Sequence, residues 1–204
     1  WFHSHPMPGR QTMSKENPQI LFVPVSGCTG SGEYIRSLLI AKAIKDRWPG
    51  SRICFCLSRE APYIDSVPFD VFLTERSATF HVEEINEFMR QNPPDIAIFD
   101  NAGRVRQLKC ARELGAHTIF LSIGGRFRKR LKAFRPWKMA CLDEHWIVQP
   151  SISFRPLSFW EKAMLKLVTH HKFRRFDVFF SPPDVDRRGQ LEERLGIAGE
   201  PYIL

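Results

Sequence analysis

The chain has 204 residues, 43% of them hydrophobic and 25% charged, which is enough to bury a full core and predicts one globular domain with part of a second. Its formal charge of +8 suits an anionic partner without choosing between nucleic acid, lipid and a phosphorylated substrate. No apolar run reaches the length needed to cross a bilayer and the first residues lack a hydrophobic signal core, so the expected location is cytoplasmic.

Residues 1–18 carry Pro6, Pro8 and Gly9 without any periodicity and read as an unstructured leader or a remnant of cloning. Ile20 to Val25 then reads as a buried strand, followed by the glycine-rich turn Ser26-Gly27-Cys28-Thr29-Gly30-Ser31-Gly32 and by a helix running through Glu33, Arg36 and on to Arg47. Three glycines let this backbone turn sharply and approach a ligand, and the helix start supplies free N–H groups. Gly27 and Gly32 have the spacing of a Walker A loop, but Glu33 and Tyr34 stand where Lys and Ser or Thr would bind phosphate and magnesium, which excludes a P-loop NTPase. The dinucleotide fingerprint is only approximated, and Leu57-Ser58-Arg59 ends the second strand without the carboxylate that would hold a ribose.

Arg52 to Leu57 is the second expected strand, with Cys54 and Cys56 pointing to one face as buried reduced thiols rather than zinc ligands. Phe69 to Leu73 gives a third strand and Glu83 to Gln91 a helix with Ile85, Phe88 and Met89 inward, stopped by Pro93-Pro94. Asp95 to Asp100 is a fourth strand, Val105 to Leu114 a helix ended by Gly115, and His117 to Leu121 a fifth strand. Gly124-Gly125-Arg126 follows, either a second anion-binding turn or an ordinary bend.

From Arg126 to Lys138 the spacing predicts a helix with Phe127, Leu131 and Phe134 on one face, surrounded by Arg128, Lys129, Arg130, Lys132 and Arg135. This pattern suits an anionic membrane surface, or a surface helix docking its apolar seam on the sheet; nucleic acid ranks third because no reading module accompanies the charge. Asp143 to Val148 is a sixth strand, Leu157 to His171 a helix with Trp160, Ala163, Met164, Leu167 and Val168 on its apolar face, and Phe176 to Phe180 a last strand. His145, His170 and His171 lack partners at metal-ligand spacing, so no metal site is expected. Strict alternation of strand and helix predicts an α/β doubly wound, mainly parallel sheet with helices on both faces. Its ligand loops would then be Ser26 to Glu33, Ser58 to Pro62, Glu75 to Thr79, Asp100 to Arg104 and Ser122 to Arg126, beyond the carboxyl ends of the strands.

The run Ser26-Gly27-Cys28-Thr29-Gly30-Ser31-Gly32-Glu33-Tyr34-Ile35-Arg36 resembles the first loop and helix of GT-B glycosyltransferases, in particular the group of lipid-linked N-acetylglucosamine transferases and nucleotide-sugar hydrolases. In that group the loop leads into Gly-His; here Glu33 replaces the His, as a Glu does in the related Kdo transferases, where it is regarded as the base. The resemblance implies a Rossmann-like half of a GT-B fold over residues 19–183, with 184–204 a connector to an absent second domain. The chain would then be a shortened enzyme or a subunit completed by another polypeptide.

The implied function is the acceptor-binding half of an enzyme that moves sugar from a nucleotide-sugar donor to a carbohydrate or lipid-linked acceptor, without cofactor. Glu33 would be its general base, or else a first-turn residue complementing the helix dipole. Gly27, Thr29, Gly30, Ser31, Gly32, Arg36, Asp100, Asn101, Arg104, Gly124, Gly125 and Arg126 would contact acceptor or phosphate, with Asp100 alternatively capping the next helix. Phe127 to Lys132 and Phe134 would touch the inner face of a membrane. The rival readings are a nucleotide-sugar hydrolase and a non-catalytic membrane or partner-binding module.

Overall fold

The computed structural model describes residues 17–28, 30–123, 134–153, 155–168 and 172–178, with isolated helical positions at 189, 193 and 194. Seven strands form one sheet: β1 (Gln19–Pro24), β2 (Arg52–Ser58), β3 (Asp70–Thr74), β4 (Ile96–Asp100), β5 (His117–Ser122), β6 (Glu144–Val148) and β7 (Lys172–Phe176). Their order is β3-β2-β1-β4-β5-β6-β7 and every pairing is parallel. The helices are α1 (Gly32–Arg47), α2 (Val82–Gln91), α3 (Val105–Glu113), α4 (Pro136–Met139) and α5 (Phe159–Leu167).

Central strands of such a sheet are covered on both sides and must be apolar on both. β1 meets that demand: Ile20 and Phe22 enter the core with Tyr34 and Ala41 of α1, whereas Leu21 and Val23 enter the opposite core with Ile85 and Met89 of α2 and Leu108 and Ala111 of α3. Met139 of α4 and Met164 of α5 join that second core, so the sheet is doubly wound with helices on both faces. The order reverses between β1 and β4, and that switch point is where this class of sheet opens a crevice at its carboxyl edge.

Cys54 and Cys56 share the predicted face, packed against the second core. Burial pushes the Cys54 thiol up to about 11, helped by Asp70, and the Cys56 thiol up as well. Three expectations are corrected. Among the described residues the last strand is Lys172–Phe176, and of the predicted Phe176 to Phe180 positions 177 and 178 lie outside any strand while 179 and 180 are not described; as a sheet margin it exposes Lys172, Arg174 and Arg175, with Arg174 Nε donating to Glu144 Oε2 at 2.7 Å. α5 begins at Phe159, not Leu157, because the Ser158 hydroxyl accepts from the Glu161 N–H while Glu161 Oε2 accepts from the Ser158 N–H at 2.7 Å. Its inward residues are Glu161, Met164 and the following Val168, with the predicted Ala163 and also Leu165 partly buried against the core, while Trp160 and Leu167 are exposed.

Candidate functional site

α1 starts where β1 ends, and its small residues decide how closely it sits on the sheet. Ser37 and Ala41 are fully buried, one turn apart on the face that also carries Tyr34. Tyr34 stacks on Tyr63 with ring centroids 4.0 Å apart and meets Phe55 edge-on. With Tyr34 locked inward, its neighbour Glu33 is left partly exposed at the first helical turn, at the carboxyl end of β1.

Glu33 meets the end of β4 there. Asn101 Nδ2 donates to Glu33 Oε1 at 2.9 Å. Asn101 holds this position at φ +52°, in the left-handed region that Asn tolerates better than most residues. It is fixed by an antiparallel bridge to Pro24 and by its N–H donating to Leu121 O at 2.9 Å. One hydrogen bond orients the carboxylate.

Directly beneath, Arg36 Nε donates to Asp100 Oδ2 at 2.8 Å, its Nη2 pairs with Oδ1, and the Ser37 hydroxyl donates to Oδ2 at 3.2 Å. Asp100 is wholly buried, and burial pushes its carboxyl up to about 6, outweighing the downward pull of Arg36 and Ser37, while Glu33 adds to the rise. This arrangement corrects one expectation: Asp100 does not cap α3, whose N-cap is Arg104, but pairs from its buried position with Arg36. Both are positioning residues that fasten α1 to β4.

Around the rim, Gly30 takes φ +83°, and a Cβ built at Gly27, Gly30 or Gly32 meets nothing described within 4 Å. The backbone there is therefore bare, and Cys28, Gly30, Ser31 and Gly32 are exposed. Ser31 precedes α1 without a side-chain cap bond, its carbonyl accepting from the Ile35 N–H at 2.8 Å. The Ser26 hydroxyl is turned inward, accepting from the Ser58 N–H at 2.8 Å, which ties the loop root to β2. Gly103 has φ +91°, and a Cβ there would lie 3.0 Å from the Phe99 ring, so the β4 loop needs glycine. Arg104 is exposed, its Nε donating to Thr79 O at 3.3 Å.

Thr29, Gly124, Gly125, Arg126 and the segment Phe127 to Lys132 lie outside the described residues. Phe134, expected at a membrane surface, is instead fully buried, tilted against His145 and Phe173 at 5.3 and 5.5 Å between centroids. An aromatic ring in the core of β6 and β7 gains more from packing than from an exposed seam.

No protein-family model matches the chain, and no curated protein matches it. Among solved structures it is similar to one titled "Crystal Structure of CalG4, the Calicheamicin Glycosyltransferase", at 17% identity and TM-score 0.37, over 75% of this chain. The chain spans 40% of that protein's length. A likeness this distant bears on neither the site nor the reaction. Among the described residues no helix is long and apolar enough to cross a membrane.

Two groups at the same edge escaped the sequence reading. Lys138 of α4 places Nζ 3.4 Å from the centroid of the Phe120 ring, and burial lowers its affinity for a proton to a pKa of about 8, with nearby Arg104 adding to the fall. Ser122 Oγ lies 2.8 Å from Nε2 of buried His145. The signal for Lys138 was Arg135-Pro136-Trp137-Lys138, where Pro at the first helical position breaks the assumed continuous helix. Nothing local signals the Ser122–His145 pair, since its members belong to different strands.

Proposed function

We propose that this chain is the acceptor-binding half of a GT-B glycosyltransferase, which moves sugar from a nucleotide-sugar donor held by a second α/β half to a hydroxyl of the acceptor. The observation that carries the reading is Glu33: a carboxylate at the first turn of α1, oriented by Asn101 over the switch point, beside a loop of bare backbone. In the reaction Glu33 takes the proton of the acceptor hydroxyl as its oxygen bonds to the anomeric carbon, and the bond from that carbon to the nucleotide diphosphate breaks with its electrons leaving on phosphate oxygen. One Glu33 oxygen is held by Asn101, and the other serves the acceptor. The exposed glycines bring backbone N–H groups to the acceptor, and the Arg36–Asp100 pair keeps α1 in register beneath them.

The test uses the polypeptide completed by its second half, supplied with a panel of nucleotide sugars and acceptors, with nucleotide diphosphate release as the readout. Glu33→Gln is expected to lower acceptor-dependent release by roughly a hundredfold or more while the thermal transition stays in place. Unchanged release in that variant contradicts the proposal.

A further inference from the structure

Helix α5 turns outward two of the residues that its pattern placed in the core. Phe159 is 89% exposed, Leu167 67% and Trp160 46%, whereas Glu161, Met164 and Val168 face inward. Trp160 and Leu167 lie seven positions apart and so align two turns along one line of the helix. Phe159, Lys162 and Lys166, spaced by three and then four, form the line beside it, and both lysines are exposed. The outer face of α5 is therefore an apolar ridge with a basic flank.

Charge selects what covers such a ridge. Between Glu144 and Asp177 the sequence holds a single acid, Glu161, and it is buried, its Oε2 accepting from the Ser158 N–H at 2.7 Å and from the Ser158 hydroxyl at 2.8 Å. Arg155, Lys172 and Arg175 in the same stretch are exposed, and Arg175 Nη2 donates to the Arg155 carbonyl at 2.8 Å, which brings the basic margin of β7 to the segment leading into α5. Lys162 and Lys166, one turn apart, repel each other until an anion lies against them. A second copy of the chain would set these same cations face to face, so charge opposes self-pairing and favours an anionic occupant. The apolar groups also project from a convex ridge, which fluid acyl chains can close around, whereas a rigid acidic protein would need a socket matched to each ring. Tryptophan and lysine are the side chains that settle at the head-group level of a bilayer.

We infer that the outer face of α5 docks on an anionic lipid bilayer, with Phe159, Trp160 and Leu167 entering the acyl boundary while Lys162 and Lys166 meet the lipid phosphates. This face is separate from the seam expected between Arg126 and Lys138, whose Phe134 is buried. The docking face stands whether or not the transfer reading holds.

The experiment is flotation of the full chain with vesicles of phosphatidylcholine, alone and mixed with phosphatidylserine, at low and raised salt. Binding that needs phosphatidylserine and weakens as salt screens the lysines is expected. Lys162→Gln with Lys166→Gln, and separately Phe159→Ser with Leu167→Ser, should each weaken it about tenfold or more. Lys42→Gln with Arg47→Gln removes the same charge from exposed positions of α1 and should stay within about threefold of the wild type. Bromine-labelled acyl chains should quench the tryptophan emission of the bound chain, and Trp160→Leu should remove most of that quenching. No binding, binding indifferent to phosphatidylserine, an equal loss in the α1 pair, or quenching that persists in Trp160→Leu each overturns the docking face. Self-association abolished by Phe159→Ser with Leu167→Ser, in a chain that ignores vesicles, would overturn it in favour of a second copy. Thermal melts check every variant, and the quenching measurement preserves the test if the Phe159 and Leu167 pair fails to fold.

Discussion

Asp100 and Arg36 show how one ion pair sets the chemistry of its neighbour. The Asp100 carboxyl has a higher proton affinity in the folded chain than the ordinary 3.8, so its contribution to stability is complete below about pH 4 and fades as pH rises through about 6. Relative to Asp100→Asn, the wild type should lose roughly 3 kcal/mol between about pH 4 and about pH 7, as measured by urea denaturation. The counterpart is Arg36→Met, which strands the buried carboxylate: a loss of about 3 kcal/mol is expected near pH 8, shrinking near pH 5 where Asp100 carries its proton. A loss that does not change with pH would contradict the coupling. Asn101 is separable from this pair by its backbone. Asn101→Gly keeps the left-handed turn and removes only the contact to Glu33, so it should hold stability within about 1 kcal/mol, whereas Asn101→Ala should fall below it by a further 1 kcal/mol or so. Sequence reading placed Glu33, Arg36, Asp100 and Asn101 at one edge but did not pair Arg36 with Asp100, because a pairing across 64 residues leaves no trace in local spacing.

Among the elements, the most legible were those whose pattern is dictated from both sides. β1, β2, β4 and β5 are apolar runs bounded by turn residues, and period-two alternation put Cys54 and Cys56 on the face where they lie. Their raised thiols make them poor nucleophiles, so native labelling with a disulfide reagent should modify exposed Cys28 first, and denaturant should be needed for Cys56, Cys110 and Cys141. Rapid native modification that survives Cys28→Ser would contradict that burial. At the other end of the chain the elements were misread for identifiable reasons. The pair Ser158 and Glu161 forms a capping box that fixes where α5 begins, yet the apolar pattern alone pulled its start back to Leu157. Ser158→Ala should cost about 1 kcal/mol in a denaturation experiment, and Ser158→Asp should recover most of it. β7 eluded detection because a marginal strand needs only half its residues apolar, and Lys172-Phe-Arg-Arg-Phe176 reads as a charge cluster until Arg174 is seen against Glu144.

Across the molecule, charge is sorted between the two edges of the sheet. At the amino edge Asp143 and Glu144 lie buried among Arg112, His117 and Arg174. At the carboxyl edge Lys138 and Arg104 stand without a carboxylate among the described residues, Asp100 is consumed by Arg36, and Glu33 offers a partly exposed acid over the switch point. Topology was legible because alternating strand and helix with short connections admits few arrangements. What the residues do at the carboxyl edge depends on pairings between distant strands, which a linear pattern does not carry. The central claim is that Glu33 faces the reacting hydroxyl. The most direct measurement is a crystal structure of the completed Glu33→Gln protein with the acceptor found by turnover. The account predicts a ligand hydroxyl about 2.6–3.2 Å from the residue 33 side chain, above the junction of β1 and β4. An acceptor seated elsewhere, with that side chain turned away from it, would contradict the account.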